Sequence, residues 1–340
     1  GWNPLANRGP LAATLTWWLA LSLLGWAAWP LCLGVCRGLP DRGYLLAKAI
    51  GWLLVGYVLW LGASGRLLAN RVAHLYGVLG LLLLAGGCFA CRQRRRLAAL
   101  WRGRRRLLWG EELLFSGAFL AFVLIRLLNP DLWQPWFGGE KMMEFAYLNA
   151  ILKSAHFPPY DPYFAGGYIN YYYYGLYLVN VLIKLTGIVP EVAFNLAVPS
   201  FFALTVGLAF SFGHALTARL RGLRWPWGGV AAAVGVAFLA NLTVLAQWLA
   251  SMVALGGGVP QPDSGLEALR PFLTGLLRWP GNQGHLPAFD YWYQATRVIP
   301  FTINEFPFFS FLFADLHPHM MGLPFTIAVL VLLAGLLLAP

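Results

Sequence analysis

Eight runs of mostly apolar residues divide the chain: Leu11–Val35, Leu45–Gly62, Leu67–Ala90, Leu107–Leu128, Tyr172–Thr186, Val192–Leu216, Gly228–Leu255 and Met321–Ala339. A helix needs roughly 20 such residues to cross a hydrocarbon core of about 30 Å. Most of the runs meet that length; Tyr172–Thr186 and Met321–Ala339 are short. Polar residues gather between the runs, at 92–106, 129–170 and 256–318. The pattern predicts an all-α fold, a polytopic transmembrane helical bundle. Residues 1–106 read as an N-terminal three-helix membrane segment, and residues 107–340 as a second membrane module holding the polar clusters. The chain starts at Gly1 without Met and stops just after an apolar run, so a piece of a longer chain is expected.

Composition sharpens this picture. Hydrophobic residues make up 59% of the chain and charged residues only 11%, where soluble domains carry roughly 25% charged. A water-soluble fold could not hide so much apolar surface. The net charge of +11 does not point to nucleic acid, because of where it lies. Eight arginines fall between Arg92 and Arg106, expected as a short loop between two apolar runs. Cytoplasmic loops of membrane proteins are enriched in this way; contact with anionic lipid headgroups is the second reading. Arg37, Arg42 and Lys48 are expected on the same side, with Arg8, Arg66 and Arg71 opposite. The protein is therefore expected in the cell membrane as a multi-pass protein, in contact with the lipid bilayer. Segments 129–170 and 256–318 would face the non-cytoplasmic side. That shared face requires an even number of crossings between them, and three apolar runs intervene. Either Tyr171–Thr186 is interfacial or re-entrant, or Gly228–Leu255 is bent or doubled. Cys32-x3-Cys36 and Cys88-x2-Cys91 could face one another across two helices, although small apolar cysteines in membrane helices need no function.

The first polar cluster contains Glu140, Lys141, Glu144, Asp161 and Tyr171–Tyr174. Residues 140–152 are expected as a helix, with Glu140 and Glu144 four apart on one side. Two carboxylates so placed repel unless they share a proton, a metal or a cation; a plain solvated helix with Glu140 at its start is the alternative. Asp161, between Tyr160 and Pro162, is either a ligand or substrate contact or the side chain of an Asx turn. The tyrosines divide between an interfacial aromatic belt and a pocket lining. The second cluster runs through Asp290, Trp292, Arg297, Asn304 and Glu305 to Asp315-Leu-His317-Pro-His319. An acid and two imidazoles within five residues suit a divalent cation or donation to a phosphate, or a structural pair at a helix start. Ionisable groups at membrane depth are functional candidates by default.

Several stretches carry a resemblance: Gly139-Glu-Lys-x-Met-x-Phe-Ala, Pro158-Pro-Tyr-Asp-Pro, Asn170-Tyr-Tyr-Tyr, and Ile303-Asn-Glu-Phe-Pro-Phe-Phe-Ser-Phe-Leu-Phe-Ala-Asp-Leu-His-Pro-His. They resemble the YYY family of uncharacterised prokaryotic membrane proteins over roughly residues 107–330. That family is itself similar, more distantly, to the GT-C superfamily of polyprenyl-phosphate-dependent glycosyltransferases, and the order of elements here resembles theirs. The resemblance implies a GT-C-like catalytic module from about residue 107, acting on a polyprenyl-phosphate-linked sugar at the non-cytoplasmic face. It implies an acid in the first outer loop as the catalytic or metal-binding residue. Glu144 best matches that place, with Glu140 close behind, although the usual residue there is Asp.

On this reading Glu144 or Glu140 takes a proton from the acceptor hydroxyl. Lys141, Arg297, His317 and His319 stabilise phosphate, Tyr172, Tyr173 and Trp292 pack the sugar, and Asp161 contacts substrate. Glu140, Glu144, Asp161 and Asp315 could supply oxygen ligands to a divalent cation such as Mg or Mn. The competing readings are a transporter or lipid-linked substrate flippase without covalent chemistry, a scaffold subunit, and a hydrolase using the same acids on water.

Overall fold

The computed structural model describes residues 1–133, 139–218, 226–239, 241–259, 265–282, 290 and 294–339. They form two compact units. Unit 1 comprises Gly1–Ala237 and Phe313–Pro340, and unit 2 comprises Phe238–Leu312. Unit 1 contains α1 (Pro10–Val35), α2 (Tyr44–Ser64), α3 (Val72–Arg92), α4 (Arg94–Leu128), α5 (Lys141–Lys153), α6 (Tyr174–Thr186), α7 (Pro190–Thr217) and α12 (Pro318–Leu337), with α8 (Trp227–Phe238) running to its boundary. Unit 2 contains α9 (Leu242–Leu255), α10 (Gly265–Arg278) and most of α11 (Pro307–Phe313). No strand occurs among the described residues. The protein is an all-α polytopic membrane bundle.

Among the described residues α1, α2, α3, α7 and α12 are long and apolar enough to cross a bilayer. The run Gly228–Leu255, for which a bent or doubled form is one alternative, is two helices, α8 and α9, broken between Phe238 and Leu242. Helix α4 is long enough but carries Glu111, Glu112 and Arg126, each at most 8% exposed. Glu112 is partnered across the bundle. Its Oε2 lies 3.0 Å from Lys48 Nζ and accepts the Tyr44 hydroxyl at 2.7 Å. An ion pair turned inward in this way lets a charged helix share an apolar environment. Lys48, counted with the cytoplasmic-side charges although it lies in the run Leu45–Gly62, is 1% exposed within α2, and so drops out of the count of charges that orient the chain.

Helix α7 sits at the centre, with 89% of its most apolar stretch buried. The first three helices approach closely enough that a Cβ at Gly51 would lie 2.1 Å from the Leu24 carbonyl oxygen, and one at Gly86 2.0 Å from that of Ala27. Small residues at such contacts let backbones meet where no hydrophobic drive between helices exists. Buried indoles are satisfied across elements: Trp17 donates to Ser200 Oγ and Trp52 to the Leu178 carbonyl, both at 2.8 Å.

The two ends of unit 1 differ in character. At one end Gly38 N–H donates to the Gly335 carbonyl at 2.9 Å and Arg104 donates to the Pro40 carbonyl. These bonds gather the ends of α1 and α12 with the starts of α2 and α4. Arg37, Arg42, Arg96 and Arg104 line one cavity there. The arginine-rich segment is not a loop: it is the start of α4, interrupted only at Arg104 (φ −129°, ψ 16°). Arg, Leu and Ala are strong helix formers, and the charge stays exposed. Cys32 and Cys36 are buried, while Cys88 and Cys91 are exposed, so the two pairs do not share a site.

At the opposite end Arg126, near the end of α4, donates to Asn195 Oδ1 in the second turn of α7. Asn70, before α3, donates to the Ala155 carbonyl after α5 at 2.7 Å. The C-terminal turn of helix α6 lies at this end: Gly187, its C-cap, accepts from the Asn3 backbone at 2.9 Å, while Lys184 donates to the Asn70 carbonyl. Its 13 residues span about 20 Å at a rise of about 1.5 Å, short of a full crossing. The described residues between α4 and α7 therefore start and finish at one end of unit 1. Tyr174–Thr186 is thus a short apolar helix, as the interfacial or re-entrant alternative expects, and the break between α8 and α9 is the bend that the other alternative expects.

Candidate functional site

Two segments about 170 residues apart meet at this end. The first is the start of α5. Gly139 precedes it with φ +63°, a conformation glycine adopts without strain. A Cβ there would lie 2.8 Å from Asp315 Oδ2 and still closer to the Phe313 ring. Glu140 is the N-cap and Glu144 sits in the first turn, where a carboxylate suits the positive end of the helix dipole. The second segment is the turn into α12. Ala314 takes a positive φ of 60°, His317 is the N-cap and Pro318 opens the helix. A proline is pre-organised for that position.

The segments are joined by their polar groups. Glu144 Oε2 accepts the Leu316 backbone N–H at 2.6 Å. Glu140 Oε2 lies 3.4 Å from His317 Nε2 and accepts the Tyr171 hydroxyl at 3.2 Å. His317 Nδ1 and His319 Nδ1 are 2.7 Å apart. With both rings neutral, His319 can donate to His317, and His317 to Glu140, in one chain. Lys141 lies over the Phe313 ring, 5.1 Å from its centroid. The cluster thus comprises Glu140, Lys141, Glu144, Tyr171, Asp315, His317 and His319, all in unit 1.

The two glutamates, expected as an equivalent pair, occupy different environments. Glu140 is exposed, its side chain 47% accessible. Glu144 is 1% exposed, and its Oε1 has no partner among the described residues. Burial first, then the Asp315 charge, push its pKa up to about 9, against the opposing Leu316 hydrogen bond. It therefore holds its proton at neutral pH, and the repulsion expected between the pair is relieved. Burial and the Arg126 charge lower Lys141 from the usual lysine range. Burial and Glu140 push Tyr171 up to about 12, so its hydroxyl remains a donor.

A linkage effect follows. Between the ordinary carboxylate pKa and about 9, the folded state keeps a proton that the unfolded state has lost. The Glu144 contribution is then full below the ordinary value and declines as pH rises. The unfolding midpoint of the detergent-solubilised protein should fall between pH 5 and pH 9, and the fall should be shallower in Glu144→Gln. Equal slopes by thermal melting would show that Glu144 ionises freely.

The remaining expected residues are placed as follows. Tyr172 and Tyr173 line a groove of about 460 Å³ with Tyr171, Tyr174, Trp60 and the Pro318–Gly322 turn. Tyr173 accepts from Trp60 Nε1 at 3.0 Å, and Tyr172 is 73% exposed. Asp161 takes the Asx-turn alternative, its Oδ1 accepting the Tyr163 N–H at 2.8 Å. Arg297 belongs to unit 2, its guanidinium donating to Thr296 Oγ1 at 2.8 Å. Trp292 lies outside the described residues. Glu140, Glu144, Asp161 and Asp315 do not form a chelating set: among the described residues no three His, Cys, Asp or Glu side chains are placed to hold a metal ion. Lys48, Glu112 and Arg126 were not singled out from the sequence as site residues. An acid and a lysine 64 positions apart leave no local signal.

Fold and site together define a multi-pass α-helical membrane protein with a cluster of acid, imidazole, ammonium and phenol groups at one end of its bundle. The chain belongs to the uncharacterized membrane protein family DUF2298, whose profile matches residues 54–340. The match starts within α2, well before the residue-107 start of the recognisable motifs. No curated protein and no solved structure matches the chain.

Proposed function

We propose that unit 1 carries the reaction centre of a membrane glycosyltransferase, moving a sugar from a polyprenyl-phosphate donor to an acceptor hydroxyl. The observation that carries this reading is the junction of Glu140 with His317 at 3.4 Å beside the tyrosine-lined groove. Together they offer a proton acceptor, donors for a departing phosphate and aromatic faces for a sugar. The order of elements, which resembles that of GT-C enzymes, agrees with the same chemistry. The arginine-rich end lies opposite the cluster, which under the positive-inside rule supports a non-cytoplasmic cluster.

In this mechanism Glu140, not Glu144, accepts the proton of the acceptor hydroxyl, because Glu140 is exposed and Glu144 is already protonated. The acceptor oxygen forms its bond to the anomeric carbon as the bond from that carbon to the lipid phosphate oxygen breaks. The electron pair leaves on the phosphate, which Lys141 and the His317–His319 pair stabilise. Glu144 is a positioning residue, holding the Asp315–His317 turn through the Leu316 N–H.

A second reading, transport or flipping without covalent change, draws on the buried Lys48–Glu112 pair and on Glu111, whose two carboxylate oxygens lack partners among the described residues. One experiment separates the two. Proteoliposomes holding the purified chain receive a radiolabelled polyprenyl-phosphate sugar and a mixture of hydroxyl acceptors. Covalent product on the acceptor supports transfer; labelled donor crossing the bilayer unchanged, with no product, supports transport.

A further inference from the structure

Unit 1 holds a cavity distinct from the tyrosine groove. It has a volume of about 580 Å³ and lies between the first turns of α1 and α7 and the last turns of α4. Val123, Leu127, Leu132, Ala13 and Leu196 make its walls largely apolar. Arg126 also lines it, 5% exposed. Its Nε and Nη2 both donate to Asn195 Oδ1, at 3.0 and 2.8 Å. The amide of Asn195 is itself fixed, donating to the Pro130 and Glu191 carbonyls at 3.1 Å. A guanidinium has five N–H donors, so three remain without a protein acceptor among the described residues. No carboxylate among them lies within ion-pair distance of Arg126.

Asp131 acts on Arg126 only through space and Glu191 lines the cavity without pairing with it, so the guanidinium, held at the edge of an apolar chamber, keeps unused N–H donors that are costly to bury. Neither α1 nor α7 carries a side-chain cap; the first turn of α7 holds Glu191, and that of α1 holds no acid, so the start of α1 adds a positive helix end to the cavity. Leu124 and Leu128, flanking Arg126 along α4, are 63% and 87% exposed, on a surface suited to lipid.

We propose that this cavity binds a membrane lipid by its phosphate ester. The phosphate accepts from the free Arg126 N–H groups, and one hydrocarbon chain lies along Val123, Leu127 and Leu196. The fork geometry of guanidinium suits two phosphate oxygens, and the apolar walls favour a lipid over a free anion. The proposal does not depend on glycosyl transfer.

The test is native mass spectrometry of the purified protein titrated with phosphatidylglycerol, with inorganic phosphate in a separate arm. Wild type should retain one phosphatidylglycerol molecule at least tenfold more tightly than Arg126→Gln, and Arg126→Lys should fall between them. Leu127→Trp, at a half-exposed wall position, should weaken retention with the charge intact. If Arg126→Gln fails to fold, Leu127→Trp decides: unchanged retention overturns the proposal. Equal lipid retention in a folded Arg126→Gln also overturns it, as does an Arg126-dependent site that takes inorganic phosphate and not the lipid.

Discussion

Replacing Glu140 by Gln is expected to lower sugar transfer by about 10²–10⁴-fold, the usual contribution of a positioned general base, while the unfolding midpoint stays near wild type. The two halves of that expectation have separate physical origins. Gln keeps the size of the side chain and can still accept from Tyr171 and His317, so the junction between α5 and α12 survives. The side chain is 47% accessible, so little packing is lost. What disappears is the capacity to take a proton. The check is the initial rate of labelled product formation in proteoliposomes, read beside a melting curve. A loss of only twofold would remove Glu140 from the proton-accepting role.

The largest effect on stability is expected at the opposite end of the bundle. Glu112→Ala leaves Lys48 1% exposed without its carboxylate, and Tyr44 without its acceptor. Breaking a buried ion pair from one side costs about 3–5 kcal/mol, because an uncompensated charge stays behind. Replacing both partners by apolar residues of similar volume is often neutral. The double variant Lys48→Met/Glu112→Leu should therefore recover most of the loss. Denaturant unfolding in detergent measures both. A single-variant loss below about 1 kcal/mol would mean that water or another group reaches Lys48 and compensates it.

Much of the architecture was legible in the chain because hydrophobic length is a local property. Five apolar runs became helices able to cross a bilayer, and the polar clusters fell outside them. The errors share a cause in pairing over long distance. Lys48 reads as one of the charges that mark a membrane side until Glu112, 64 positions away, is seen beside it. Residues 94–106 read as a loop because arginine density marks a membrane face, yet their composition of Arg, Leu and Ala also favours helix, and helix prevails. Glu140 and Glu144 read as one repelling pair because spacing gives only their common side. The Asp315–His317 turn separates them, covering Glu144 and leaving Glu140 open. Asp161 carried two readings, and the Tyr163 N–H within its own turn decides between them. The Arg126 cavity left no local trace, since its walls come from three helices far apart in sequence.

The central idea is that Glu140 and His317, joined only by folding, act as one unit on a lipid-linked sugar. A double-mutant cycle measures this: transfer rates for wild type, Glu140→Gln, His317→Gln and the double variant in the same proteoliposomes. Groups that act as a unit give non-additive losses, so the double variant should be within a few-fold of the worse single variant. Losses that multiply would separate the two side chains, and wild-type proteoliposomes that yield no covalent product would end the transfer mechanism.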